Sequence, residues 1–162
     1  MNNWAQRIDD AACQALRQEV DLPLKPGLVC PDDPGSHNDM DLHTFMRSVD
    51  ALQGYFHDCF NLGAQGADFR PLQLRGVQAE RAMLAATQGV NTHKGAIFLM
   101  GLLSAAAGVQ WAEQGSLDAT GLGRLVQARW GVPIVLAGVQ ANMAMGPAPT
   151  HGVRVKTVYG LP

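Results

Sequence analysis

The run Gly89-Val90-Asn91-Thr92-His93-Lys94-Gly95 places a polar, basic turn directly before the apolar segment 96–107. Asn91 or Thr92 can cap the helix that follows, its first backbone N–H groups are free, and Lys94 adds charge to the positive end of the dipole. A phosphate fits such a place. The glycines are six apart and Lys94 precedes the second, so this is not a Walker-type loop. An ordinary capped helix with a solvated lysine satisfies the same spacing.

A second group of chemical residues precedes another helix. Asp32, Asp33, Asp39 and Asp41 fall within ten residues, beside Ser36, His37 and Asn38. Mg²⁺ takes one or two carboxylates together with substrate phosphates, and Asp39 and Asp41 suit that partial shell. The same two aspartates equally suit a helix N-terminus with no metal. Glu80 lies three residues after Val77 and four before Leu84, and Glu19 follows Ala15 and Leu16 by four and three. Both carboxylates are therefore expected on apolar stripes, where a cation, a donor or a raised pKa must compensate them. The alternative for Glu80 is a rim salt bridge to Arg81, Arg75 or Lys94, and for Glu19 a rim position. His37 and His93 stand beside the two loops, able to donate to an anion or move a proton. His43, His57 and His151 have no zinc spacing and are expected at the surface or in structural roles.

The elements that must position these residues are helical. Trp4, Ile8, Ala12, Ala15, Leu16 and Val20 recur at helical intervals, which predicts a helix over 3–21. Lys25-Pro26-Gly27 makes a turn, and 31–35 an ordered loop. Ser36 with Asp39 reads as a capping-box start. From there Leu42, Phe45, Met46, Val49, Leu52, Phe56, Cys59 and Phe60 form one continuous stripe ending at a left-handed Gly63. Pro71 opens a further helix with Leu74, Val77, Met83 and Leu84 inward, ending at 87–89. The segment 95–107 is apolar all round, a core helix stopped by Gly108 and too short for the roughly 20 residues of a membrane span. A helix over 117–130 follows, weakened by Gly121 and Gly123. Residues 133–137 form a strand or a helix start, Pro147 and Pro149 break 139–145, and Val153, Val155 and Val158 alternate like a strand. The expected fold is all-α: a multi-helix bundle around the buried apolar helix 95–107, with 1–162 as one helical domain.

A formal charge of −2 with no Lys/Arg block excludes general nucleic-acid binding. Apolar residues reach 47% against 16% charged, so much surface is covered by the fold or by a partner, which allows a homo-oligomer. Cys13, Cys30 and Cys59 are odd in number and widely spaced, against a disulfide framework or a zinc site. With no secretory leader at 1–10, a cytoplasmic location without membrane contact is expected.

Taken in order, Lys25-Pro26-Gly27-Leu28-Val29, Gly35-Ser36-His37-Asn38-Asp39-Met40-Asp41, Glu80 and the 89–95 run resemble the triphosphoribosyl-dephospho-CoA synthase family. The resemblance runs from about Glu19 to Gly108, and 151–160 is similar to a later His-Gly to Tyr-Gly stretch. Family members continue further, so the chain resembles an amino-terminal portion, truncated at its C-terminal end. The resemblance implies a transferase that moves the 5-triphosphoribosyl group of ATP to the 2′-hydroxyl of 3′-dephospho-CoA and releases adenine. The product is the precursor of the acyl-carrier-protein prosthetic group of malonate decarboxylase or citrate lyase, and the loop looks more like the malonate branch.

On that reading Glu80 stabilises the oxocarbenium character at the ribose carbon. Lys25, His37, Asn91, Thr92, His93 and Lys94 cradle the ATP phosphates. Asp39 and Asp41, with Glu19 as a further candidate, hold Mg²⁺, and Asp39 is the alternative proton acceptor. Two other readings remain: a Mg²⁺-dependent nucleotide N-glycosidic hydrolase, and an inactive truncated helical binding module. The spatial expectation is that 39–41 and 91–94 converge on one cleft floored by Glu80.

Overall fold

The computed structural model describes residues 3–144. Helix α1 is Trp4–Asp21, α2 Leu42–Ala51, α3 Tyr55–Ala64, α4 Phe69–Ala86, α5 Lys94–Gln114 and α6 Leu122–Ala144, the last preceded by a 3-10 turn at Ala119–Gly121. No strand occurs among the described residues, only an isolated bridge between Cys30 and Asp33. The fold is all-α. The chain divides into two compact units, Met1–Arg129 and Trp130–Pro162, and α6 begins in the first and runs on into the second. Pro147, Pro149, His151 and the alternating valines at 153, 155 and 158 lie outside the described residues.

In the first unit the core forms where α3 lies along α5, with α1 against α3. Val20, Val49, Leu52, Phe56, Phe60, Met83, Ala105 and Ala106 are all but inaccessible. Two glycines set the approach of α3 to α5. A methyl group at Gly63 would overlap the carbonyl oxygen of Ala105, and one at Gly108 would overlap that of Phe60. Gly108 is therefore a packing residue inside α5 rather than its stop, and α5 continues to a left-handed Gly115. Gly63 likewise lies within α3, and the left-handed position falls to Gly66. At 21 residues α5 is long and apolar enough to cross a membrane, a correction to the shorter span expected. Its packing makes it the core helix: ten of its residues, including Ile97, Leu102 and 104–110, are buried. It is not apolar-buried on every side, since Phe98 and Leu99 are exposed.

The expected continuous helix over 36–63 is two helices. Residues 36–41 are irregular, so the Ser36–Asp39 box is replaced by Asp41, whose Oδ1 accepts from the backbone N–H of Thr44 at 2.8 Å. The break at 52–54 is set by a side chain from α1. The carboxylate of Asp9, 3% exposed, accepts from the backbone N–H groups of Gly54 at 2.8 Å, Phe56 at 3.1 Å and His57 at 3.2 Å. Three of the free donors that open a helix are thus satisfied from another helix, with Gly54 at φ 83° making the turn. Asp9 was legible only as a charge between Ala5 and Ala12 on an apolar stripe.

On α4 the inward residues are Leu72, Ala79 and Met83, while Leu74 and Val77 are exposed. The stripe passes over small residues, with Gly76 facing the Tyr55 hydroxyl, so counting large apolar side chains selects the wrong face. Beyond Gly115, Asp118 caps the 3-10 turn through Thr120, which delays α6 to Leu122. Pro133 lies inside α6, so 133–137 is helical rather than a strand.

Candidate functional site

Helix polarity brings the C-terminal turns of α1 and α4 beside the N-terminal halves of α2 and α5. At that end of the first unit stand Glu19 and Lys25, then Asp41 to Ser48, then Glu80 to Ala86, and finally the 91–94 turn. The turn is tied down residue by residue. The Thr87 hydroxyl donates to the Val90 carbonyl at 2.6 Å, and the Asn91 side chain accepts from the Lys94 N–H at 3.3 Å. The N-cap position of α5 is His93 rather than Asn91 or Thr92; Asn91 reaches only the Lys94 N–H, and Thr92 turns away from the helix to Ser48 at 2.7 Å.

His93 is 5% exposed and held from two other helices, α2 and α4. Its Nδ1 lies 2.7 Å from the Ser48 hydroxyl, its ring meets Phe45 edge-on at 5.1 Å, and its backbone N–H points to the sulfur of Met83. Its Nε2 is buried without a hydrogen-bond partner. Burial pushes the imidazole pKa below its ordinary value, and the Glu19 carboxylate pulls the other way.

This shift has a sign. Below about pH 6.5 the unfolded imidazole binds a proton that the folded one resists. The His93 contribution to stability is therefore fully present above that pH and is lost as pH falls toward the depressed folded value. Urea midpoints measured from about pH 7.5 down to 5.5 should fall in wild type and flatten in His93→Gln. Equal slopes in the two proteins would remove His93 as the cause.

The two expected inward carboxylates are both in ion pairs. Glu80, with its side chain 29% exposed, binds Lys94 at 2.7 Å, so the rim salt bridge is the arrangement present. The stripe that argued for an inward Glu80 does not exist, because Val77 faces solvent. Glu19 is 54% exposed rather than inward, paired with Lys25 at 3.0 Å. Lys25 also donates to the Glu19 backbone carbonyl at 2.6 Å, which fixes its largely buried side chain on the C-terminus of α1. Lys25 is carried there by the 25–35 loops, which pack tightly: a methyl group at Gly35 would overlap the Gly27 backbone.

The acidic loop leads into the N-terminus of α2. Asp41 caps the helix through both the N–H and the hydroxyl of Thr44, and those hydrogen bonds lower its pKa. Asp39 is exposed, with His37 at 3.8 Å. Among the described residues no hydrogen bond or ion pair joins Asp39 or Asp41 to the 91–94 turn. The connection runs through α2, whose Ser48 touches the turn about 10 Å along the helix from Asp41. No three His, Cys, Asp or Glu side chains among the described residues cluster as a metal cage, so Glu19 does not join Asp39 and Asp41.

Two residues here escaped the sequence reading. Ser48 is fully buried, and its position among Phe45, Val49 and Leu52 was the available signal, since a small polar residue on an apolar stripe requires a partner. Arg47 donates to the Thr44 hydroxyl and to the Ala86 carbonyl, joining the start of α2 to the end of α4. Chemically the assembly offers two lysine cations, a helix N-terminus, exposed carboxylates and a buried imidazole within one end of the bundle.

Residues 5–141 match the family described as ATP:dephospho-CoA triphosphoribosyl transferase, CitG. The chain is 41% identical over 162 residues to a probable 2-(5''-triphosphoribosyl)-3'-dephosphocoenzyme-A synthase of Acinetobacter calcoaceticus, covering 99% of this chain and 53% of that protein. It is 39% identical to a protein of the same name from Vibrio cholerae serotype O1, covering 95% of this chain and 50% of that one. The 2-(5''-triphosphoribosyl)-3'-dephosphocoenzyme-A synthase of Pectobacterium atrosepticum is 46% identical over 107 residues, 62% of this chain and 36% of that protein. The chain thus spans about half the length, or less, of these curated relatives. No solved structure matches it. With the family pattern extending from α1 into α6, the chain belongs to the ATP:dephospho-CoA triphosphoribosyl transferase family.

Proposed function

We propose that the chain is a triphosphoribosyl-dephospho-CoA synthase, transferring the 5-triphosphoribosyl group of ATP to the 2′-hydroxyl of 3′-dephospho-CoA with release of adenine. The observation that carries this reading is the 89–95 run folded as the start of α5, with Lys94 paired to Glu80 and His93 held against α2. Lys94 and the first N–H groups of α5 receive phosphate oxygens, assisted by Asn91 and, from the loops, Lys25 and His37, whereas the Thr92 and His93 side chains expected in this cradle are turned inward to Ser48.

Asp39 and Asp41 are exposed carboxylates, and the Asp41 pKa is lowered, so the donor set suits a partial Mg²⁺ shell. Mg²⁺ bound there neutralises triphosphate charge. Glu19 remains with Lys25 and favours cationic forms nearby. Glu80 supplies negative charge to the ribose carbon as the bond to adenine breaks. The product serves the acyl-carrier prosthetic group of malonate decarboxylase in preference to citrate lyase, on the resemblance of the loop, and the reaction belongs to the cytoplasm.

Incubation with ATP, Mg²⁺ and 3′-dephospho-CoA should release adenine only when the acceptor is present. Release of adenine and ribose triphosphate without the acceptor would replace transfer by hydrolysis. The binding-module reading draws on Leu74, Val77, Phe98 and Leu99, exposed on α4 and α5. It predicts no adenine under either condition.

A further inference from the structure

The hydroxyl pair that Thr92 and Ser48 make against His93 has no part in the phosphate cradle or the ion pairs. The Thr92 hydroxyl donates to Ser48 Oγ at 2.7 Å, and Ser48 Oγ lies 2.7 Å from His93 Nδ1. The Ser48 oxygen could accept from both neighbours, but its own proton would then have no hydrogen-bond acceptor among the described residues, which favours Ser48 as the donor to Nδ1. The neutral imidazole then carries its proton on Nε2, the buried atom without a partner. Both hydroxyl protons point inward, from the partly exposed Thr92 through the fully buried Ser48 to the ring.

We propose that Thr92, Ser48 and His93 form an inward proton relay, with the Thr92 hydroxyl receiving the proton of the attacking hydroxyl of the acceptor substrate. This rests on the transferase reading and names the proton acceptor for it, in place of Asp39 or Asp41. As the acceptor oxygen bonds to the ribose carbon, the bond from that carbon to the adenine nitrogen breaks, and adenine leaves with the electron pair. The acceptor proton passes to Thr92 Oγ1, the Thr92 proton to Ser48 Oγ, and the Ser48 proton to Nδ1. Adenine takes a proton from water, and the imidazolium returns its own to water by the reverse path after release. Phe45 from α2 meets the ring edge-on and Met83 from α4 meets the His93 backbone N–H, neither of them charged. From α1 the Glu19 carboxylate favours the imidazolium, though Lys25 pairs with it, and the adjoining Lys94 is balanced by Glu80. Burial opposes the imidazolium more than the Glu19 carboxylate favours it, so the ring holds the proton only transiently and gives it back readily. Thr92 is the catalytic end of this relay, and Ser48 and His93 act through it.

Two measurements on the whole chain test the relay. In ¹⁵N NMR of the imidazole, which needs no turnover, His93 Nδ1 should be the unprotonated nitrogen in wild type and lose that fixed tautomer in Ser48→Ala. In turnover, Thr92→Val should slow acceptor-dependent adenine release about a hundredfold at saturating ATP, with ATP affinity within about threefold of wild type. Thr92→Ser, which keeps the hydroxyl, should recover most of the rate. A proton on Nδ1, or equal rates for Thr92→Val and Thr92→Ser while wild type binds ATP and transfers, overturns the relay alone. Adenine release that ignores the acceptor, or absence of ATP binding by wild type, overturns the transferase reading beneath it.

Discussion

Glu80→Gln should lower the rate of acceptor-dependent adenine release by about 10²–10³-fold, the usual cost of removing one preorganised charge at a transition state. The substitution keeps the size of the side chain and its ability to bond Lys94, so binding of ATP should change little. The effect follows from how the pair is built. Lys94 is 61% exposed and meets Glu80 at 2.7 Å, an arrangement open to water on one side. Such pairs contribute at most about 1 kcal/mol, so a bound triphosphate can draw the ammonium away. On the proposed function, the carboxylate would then be left uncompensated at the moment positive charge develops on the ribose. The measurement is adenine formed per minute at saturating ATP and acceptor. A rate within about threefold of wild type would show that Glu80 serves only to hold Lys94.

Gly108→Ala should destabilise the chain by about 3 kcal/mol or more, at the upper end of overpacking, because the added methyl meets backbone that cannot rotate aside. Its nearest neighbours are the Phe60 carbonyl and the Ala64 N–H, both in α3. Separating α3 from α5 there also disturbs the cluster of Ala5, Phe60 and Ala107, on which Trp4, Ile8, Trp111 and Leu122 pack. The thermal midpoint should fall by roughly 6–12 °C, read by circular dichroism. A fall below about 2 °C would mean that α3 and α5 are not in backbone contact. Gly115→Ala in the same helix tests a different cause, since that residue has open space but φ 68°.

The sequence carried the helices better than their boundaries, for an identifiable reason. Periodicity reports which residues face inward, so the stripe from Leu42 to Phe60 was legible, whereas its interruption at 52–54 depends on a carboxylate nine residues into the chain. Nothing local to 52–54 encodes that bond. Glycine was misread for a similar reason: Gly63 and Gly108 look like stops, yet both are contacts, and only the partner helix distinguishes the two uses. On α4 the close approach of small residues outweighed the larger Leu74 and Val77.

The site was legible as residues and not as pairings. Lys94, His93, Asn91 and Glu80 were singled out from motif and position, and they do stand together at the start of α5. Lys25 and Glu19 also proved to be neighbours, bonded to each other at the end of α1. The buried Ser48 was passed over because serine in a helix is usually solvated. Among the described residues no hydrogen bond or ion pair joins the aspartates of the 39–41 loop to the basic turn. Asp41 caps α2, the helix whose Ser48 is bonded to that turn.

Calorimetric titration of the chain with ATP in the presence of Mg²⁺ tests most directly whether this end of the bundle is the triphosphate site. Lys94→Ala should weaken binding by about tenfold or more, a loss of about 1.4 kcal/mol, and Asp39→Asn should weaken it only while Mg²⁺ is present. ATP affinity unchanged in both variants, with wild type binding under the same conditions, would place the phosphates elsewhere on the molecule.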